Sequence, residues 1–274
     1  AMTELGPLCA GIDPHPGLLA HWGLDESVAG LERFAMTCVE AFAGTVAVVK
    51  PQSAFFERFG SAGVAVLERT LAGLREAGTL SVLDVKRGDI GSTMTAYAQA
   101  YLSQDSPIRA DAITVSPFLG FESLRPAMDL ARQTGRGLFV LTLTSNPEGA
   151  EVQHALRDGR TVAGSIVDGV TSANASEAGR GVLGSTGMVV GATVGRAVHD
   201  LGLDLAGANA PLLAPGVGAQ GATAADLATV FGTAMGNVLA SSSREILGTG
   251  PDGTALRAAA RRTAEQLRVI LSTS

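Results

Sequence analysis

Lysine is nearly missing from this chain of 274 residues. Of its 20 Lys and Arg side chains 18 are arginine, and the two lysines are Lys50 and Lys86. Arginine supplies the surface cations, so each lysine raises the question why no arginine stands there. One chemical difference is available: a compact ammonium can release a proton, and a guanidinium effectively cannot. Cysteine is scarce as well. Cys9 and Cys38 each lie in an apolar context, with no CxxC and no Cys/His cluster. That excludes a disulfide framework and a zinc site and fits buried thiols in a reducing compartment. No apolar run reaches the roughly 18 residues of a membrane-spanning helix. No signal-peptide pattern opens the sequence, and a cytoplasmic location is expected. The four histidines, His15, His21, His154 and His199, suggest neither a metal site nor a Ser/His/Asp triad. Excess positive charge is lacking too: a net charge of -6 excludes a general nucleic-acid or anionic-membrane surface.

What the chain has is apolar residue in short runs. Hydrophobic residues make up 46% and charged residues 17%, which is the balance of a folded chain with a core. Runs over 8–12, 45–50, 80–86, 112–115, 137–142, 187–192, 211–214 and 236–240 read as strands. They are too apolar for a half-exposed sheet, so they should be parallel and covered on both faces. The segments between them have helical period: Val28, Leu31, Cys38 and Phe42 share one face, as do Val64, Leu67, Leu71 and Leu74. A last helix is expected over 252–272, with Leu256, Ala260, Leu267 and Leu271 inward. The longer stretch 148–187 reads as one helix through Val152, Leu156, Val162, Ile166 and Val170, then a Gly/Ser-rich loop. Eight such units predict a (β/α)8 TIM barrel of the α/β class, one domain over 1–274, with an open doubly wound sheet as the alternative. In a barrel, functional residues lie at or just beyond the C-terminal ends of the strands.

The third run carries Asp84-Val85-Lys86-Arg87-Gly88-Asp89 at that end. Asp84 and Lys86 are two apart, so they share one side of a strand. Neighbouring carboxylates hold a lysine protonated, although a buried salt bridge fixing the register would look the same. Lys50 ends the adjacent second strand, and Asp13 ends the first. Gly216-Val217-Gly218-Ala219-Gln220-Gly221 satisfies G-x-G-x-x-G, but it falls in the seventh unit, and no acidic residue ends the next strand. In a barrel, the loops after strands seven and eight hold phosphate, and Arg244 stands just past strand eight. Ser116 and Ser145 follow strands four and five, with Thr144-Ser145-Asn146-Pro147 offering polar groups or a turn.

Four segments, in order, carry a family resemblance. They are Val49-Lys50-Pro51-Gln52-Ser53-Ala54-Phe55-Phe56-Glu57, Leu83 through Thr93, Pro215 through Gly221, and Ser242-Ser243-Arg244. The chain resembles the orotidine 5'-monophosphate decarboxylase family, in its longer bacterial subgroup. The resemblance implies a (β/α)8 homodimer that converts orotidine 5'-monophosphate to UMP and CO2 with no metal and no cofactor. It implies that Lys86 protonates C6, that Asp84 lies beside the substrate carboxylate, and that Lys50 contacts the ribose and orders the array. Asp89 and Thr93 would reach the partner's site. Asp13 would bind ribose, Ser145 the pyrimidine, Gln220 both base and phosphate, and Gly221 and Arg244 the phosphate. One departure is Ala222, where many members have a second glycine. Two other readings remain: a magnesium-dependent sugar-phosphate decarboxylase or aldolase, and a non-catalytic phosphate-binding barrel. The former relatives have a Glu where Lys50 stands.

Overall fold

Apolar runs with no polar alternation need cover on both faces, and a closed parallel barrel inside a ring of helices supplies it. The computed structural model describes residues 1–218 and 221–272. Its barrel strands are β1 (Leu8–Ile12), β2 (Val48–Pro51), β3 (Leu80–Arg87), β4 (Ala112–Val115), β5 (Gly137–Leu143), β6 (Thr186–Val190), β7 (Leu212–Pro215) and β8 (Val238–Ser242). They follow one another around the barrel in chain order. Closure is made by β8 against β1, with Leu8 opposite Ala240 and Ala10 opposite Ser242. The expected (β/α)8 barrel is therefore present, and the open sheet is excluded.

The longer helices are α1 (Val28–Phe42), α2 (Gly60–Glu76), α3 (Gly91–Leu102), α4 (Arg125–Thr134), α5 (Val162–Ala173), α6 (Ala224–Phe231) and α7 (Gly253–Ser272). Helix α1 begins where the Ser27 hydroxyl accepts the Gly30 N–H, and it buries Leu31, Phe34, Cys38 and Phe42. Each fully buried Leu or Phe contributes about 1.5–3 kcal/mol relative to an exposed one. Helix α7 closes the ring: Leu256, Ala260 and Leu267 are buried, and Arg257 donates to the Glu40 and Ala41 carbonyls of α1. The sixth unit has only a single turn, Ala197–Asp200, in the place of a long helix.

Strand bounds differ from expectation by one to three residues at several ends. The run over 45–50 pairs only from Val48, opposite Cys9. Thr45, Val46 and Ala47 are buried but lie in the turn before it, because apolarity reports burial and not pairing. The stretch 148–187 differs more. Val152 and Leu156 do not continue into α5. A short helix Gly149–Gln153 gives way to an antiparallel hairpin, with Leu156 opposite Thr161. Asp158 (φ 54°) and Gly159 (φ 79°) turn it, the left-handed pair that an Asp-Gly hairpin loop requires. Val152 and Leu156 are exposed.

Strand alternation divides the barrel's core in two. Cys9, Val48, Val82, Ala112, Phe139, Val189, Leu213 and Leu239 fill the interior. Two residues further along four of these strands, the inward positions become Lys50, Asp84, Thr114 and Ser241. The barrel thus changes from apolar to polar in one step near its C-terminal mouth.

Candidate active site

The charged cluster is built on an irregularity of β3. Leu83 pairs with Ile113, but the next pair along is Arg87 with Val115. Asp84, Val85 and Lys86 therefore bulge opposite the single residue Thr114. Lys86 sits at φ 46°, in the left-handed region, which lysine seldom occupies. The expectation that Asp84 and Lys86 face the same side holds, by way of a bulge in place of a regular strand.

Asp84 lies at the centre. Its Oδ2 accepts from Lys50 Nζ at 3.1 Å, and its Oδ1 accepts from Lys86 Nζ at 2.6 Å and from the Thr114 hydroxyl at 2.8 Å. Lys50 also donates to Gln52 Oε1 at 3.2 Å and lies 4.0 Å from Asp13 Oδ1. Burial alone would push the Asp84 carboxyl up, but the charges of Lys50 and Lys86 and the bonds from Lys86 and Thr114 outweigh it, and its pKa lies below the usual 3.8. Burial likewise pulls the Lys50 ammonium down, but the charges of Asp13 and Asp84 and the bond to Asp84 outweigh it, and its pKa lies above 10.5. Below Lys50, burial pushes the Cys9 thiol up to about 12, so Cys9 stays neutral and adds no charge to the array. The two lysines differ in access: the Lys50 side chain is 7% exposed and that of Lys86 47%. Lys86 reaches into the open cavity, while Lys50 is enclosed.

That cavity, about 400 Å³, is lined by Asp13, Lys50, Asp84, Lys86, Ser145 and Asn146, with Leu141, Val189 and Leu213 as an apolar wall. Asp13 Oδ1 is buried without a hydrogen-bond partner, free to accept from a ligand hydroxyl. A second cavity of about 550 Å³ shares Gly216, Ser241 and Ser243 with the first, and adds Gly218, Gly221, Arg244 and Glu245. Together they make one elongated site, with the charge array at one end and the glycine loop at the other.

The glycine loop is tight. Gly221 N–H donates to the Gly218 carbonyl, and Ala222 N–H to the Gly216 carbonyl. A side chain at Gly221 would collide with the Gly216 carbonyl oxygen. Ala222 needs no glycine, because its methyl is buried in the outer core. Arg244 is exposed, and its side chain has no hydrogen bond or ion pair among the described residues. It is available to an anion held by the loop.

The expected residues Asp13, Lys50, Asp84, Lys86 and Ser145 thus come together in the first cavity, and Gly221 and Arg244 in the second. Gln220 lies outside the described residues. Asp89 and Thr93 line neither cavity: Asp89 Oδ1 accepts the Ile90 N–H, and Thr93 lies exposed on the first turn of α3. Ser116 lines neither; its N–H donates to the Arg87 carbonyl. Thr114, Gln52, Ser241 and Ser243 are site residues that the sequence reading missed. The period of two from Ala112 would have placed Thr114 inward. Among the described residues, no group of three or more His, Cys, Asp or Glu could hold a metal ion, and no helix is long and apolar enough to cross a membrane.

The sequence profile described as the orotidine 5'-phosphate decarboxylase / HUMPS family matches residues 6–259. The orotidine 5'-phosphate decarboxylase of Streptomyces coelicolor is 60% identical over 276 aligned positions, covering 100% of this chain and 96% of that one. That of Salinispora arenicola is 61% identical, with the same coverage. Among solved structures, a Streptomyces avermitilis chain assigned to the same activity matches with a TM-score of 0.94 and 60% identity, over 99% of this chain and 93% of that one. Leishmania donovani OMP decarboxylase matches with a TM-score of 0.75 and 29% identity, over 97% and 94%.

Proposed function

Because the chain belongs to the orotidine 5'-phosphate decarboxylase / HUMPS family, we propose that its site removes CO2 from orotidine 5'-monophosphate to give UMP, a step of pyrimidine biosynthesis. The observation that carries this reading is one carboxylate, Asp84, shared by Lys50 and Lys86 at the far end of a site whose other end is a glycine loop with a free arginine. The phosphate binds at Gly216–Gly221 and Arg244, Gln220 spans base and phosphate, and Ser145 meets the pyrimidine. Asp13 and Lys50 take the ribose hydroxyls. The substrate carboxylate then lies beside Asp84. The C6–carboxylate bond breaks, its electron pair stays on C6, and CO2 leaves. The Lys86 ammonium stabilises that charge and delivers a proton to C6, and water reprotonates the amine. No cofactor takes part. Binding energy from the distant phosphate offsets the cost of holding the two carboxylates together.

The magnesium-dependent branch of the family is disfavoured by Lys50. Its ammonium stands where that chemistry has a carboxylate, and a buried cation repels a divalent one. Purified protein should turn orotidine 5'-monophosphate into UMP, followed by the loss of substrate absorbance. Turnover of a sugar phosphate instead, with no UMP formed, would overturn the reading.

The whole chain acts as one barrel domain in the cytoplasm, and two chains pair so that Asp89 and Thr93 complete the neighbour's site. This accounts for two polar residues beside the array that line neither cavity. Lys86→Ala and Asp89→Asn should each be nearly inactive alone. Mixed in equal amounts and allowed to exchange subunits, they should recover about a quarter of wild-type activity, because half of the dimers carry one intact site. No recovery would argue against the shared site.

A further inference from the structure

The bulge that carries Asp84 and Lys86 is a costly piece of backbone, and one side chain closes it. The register step leaves the Lys86 N–H without a carbonyl on β4 to pair with. The Thr114 hydroxyl takes that place: it accepts from Lys86 N–H at 2.9 Å and donates to Asp84 Oδ1 at 2.8 Å. Both directions are fixed. A backbone N–H can only donate and an ionised carboxylate can only accept, so the hydroxyl's proton must point at Asp84. Thr114 is 1% exposed, so no bulk water competes for either bond. The outer side is pinned as well, where Arg87 donates to the Val85 carbonyl at 3.1 Å. A left-handed lysine persists only where its surroundings over-determine it.

We infer that Thr114 is a positioning residue of the reaction: one hydroxyl locks the left-handed backbone of Lys86 and the carboxylate of Asp84 into a single geometry, so that Lys86 Nζ is aimed at the carbon that loses CO2. The inference rests on the proposed decarboxylation for its substrate, but the clamp itself can be read without turnover. Thr114 lines the first cavity and not the glycine-loop cavity proposed for phosphate, so its effect belongs in kcat and not in ground-state binding.

Thr114→Val keeps the shape and removes the hydroxyl. Loss of a hydrogen bond to a charged group should lower kcat by about tenfold to a hundredfold. UMP affinity, measured by calorimetry, should change by less than about threefold, because the phosphate contacts are intact. Thr114→Ser, which keeps the hydroxyl, should restore most of kcat. If the valine variant does not fold, Thr114→Cys, a weaker donor and acceptor, should give an intermediate fall. The second readout is labelling by an amine-acylating reagent, followed by peptide mass spectrometry. In Thr114→Val, Lys86 should be released from Asp84 and react severalfold faster than in wild type, with Lys50 still protected by burial. Unchanged kcat with unchanged Lys86 labelling, or an equal loss of UMP affinity, would overturn the clamp. If wild type forms no UMP, the functional reading fails, and faster Lys86 labelling in the variant still decides for the clamp.

Discussion

Lys86→Ala should lower kcat/KM by about 10⁴-fold while the protein stays folded. Two effects are removed together. A positioned proton donor is worth about 10²–10⁴-fold, and a fixed charge at the developing anion about 10²–10³-fold. The effects overlap, because one ammonium supplies both, so their product is an upper bound. The structure separates this loss from a folding defect. The Lys86 side chain is about half exposed, at 47%, and its one ion-pair partner among the described residues is Asp84. With Lys86 gone, Asp84 keeps Lys50 and the Thr114 hydroxyl, so no buried charge is left unpaired and the melting temperature should move little. Lys86→Arg should fail almost as badly, since a guanidinium keeps the charge but does not give up its proton. Full turnover in either variant, measured as UMP formation, would remove Lys86 from the proposed role.

Asp84→Ala should damage both activity and fold. Among the described residues, the carboxylate is the only side-chain group that touches Lys50 and Lys86 at once. Without it, Lys86 loses its anchor, and kcat should fall by about 10²–10⁴-fold. Lys50 remains, buried, with Asp13 at 4.0 Å as the nearest carboxylate. Breaking a buried pair from one side costs about 3–5 kcal/mol. The pH dependence carries a matching sign. Asp84 titrates below 3.8 in the folded state, so its stabilisation is present above 3.8 and is lost as pH falls through the lower folded value. Lys50 titrates above 10.5, so its stabilisation is present below 10.5 and is lost as pH rises through the higher folded value. Across the neutral range both are in place, so neither adds a pH slope to the stability there. Asp84→Ala should be less stable throughout that range. Chemical denaturation at several pH values checks this, and a variant as stable as wild type at pH 7 would show that the pair contributes nothing.

The barrel was legible because its signal is coarse. Eight apolar runs separated by helical period leave few ways to cover both faces of the strands. The charged array was legible for a chemical reason: two lysines among 18 arginines single themselves out, and Asp84 precedes one of them by two residues. What stayed hidden depends on pairing register. A hydrophobic pattern does not say where β3 slips against β4, so the bulge and Thr114's part in it appear only with the ladder in place. The Asp158-Gly159 hairpin was hidden by the helical spacing of Val152 and Leu156 before it and of Val162, Ile166 and Val170 after it, although the dipeptide itself is a turn signal. The partner-facing role proposed for Asp89 and Thr93 rests on family resemblance, since one chain's geometry places them outside its own cavities.

The most direct test is release of CO2 from orotidine 5'-monophosphate by the purified wild-type chain, with and without EDTA, beside Lys86→Ala. An array of two lysines and a carboxylate that does the chemistry itself should give the same wild-type rate in both conditions and almost none in the variant. A wild-type rate abolished by the chelator, or a variant that keeps pace with wild type, would contradict it.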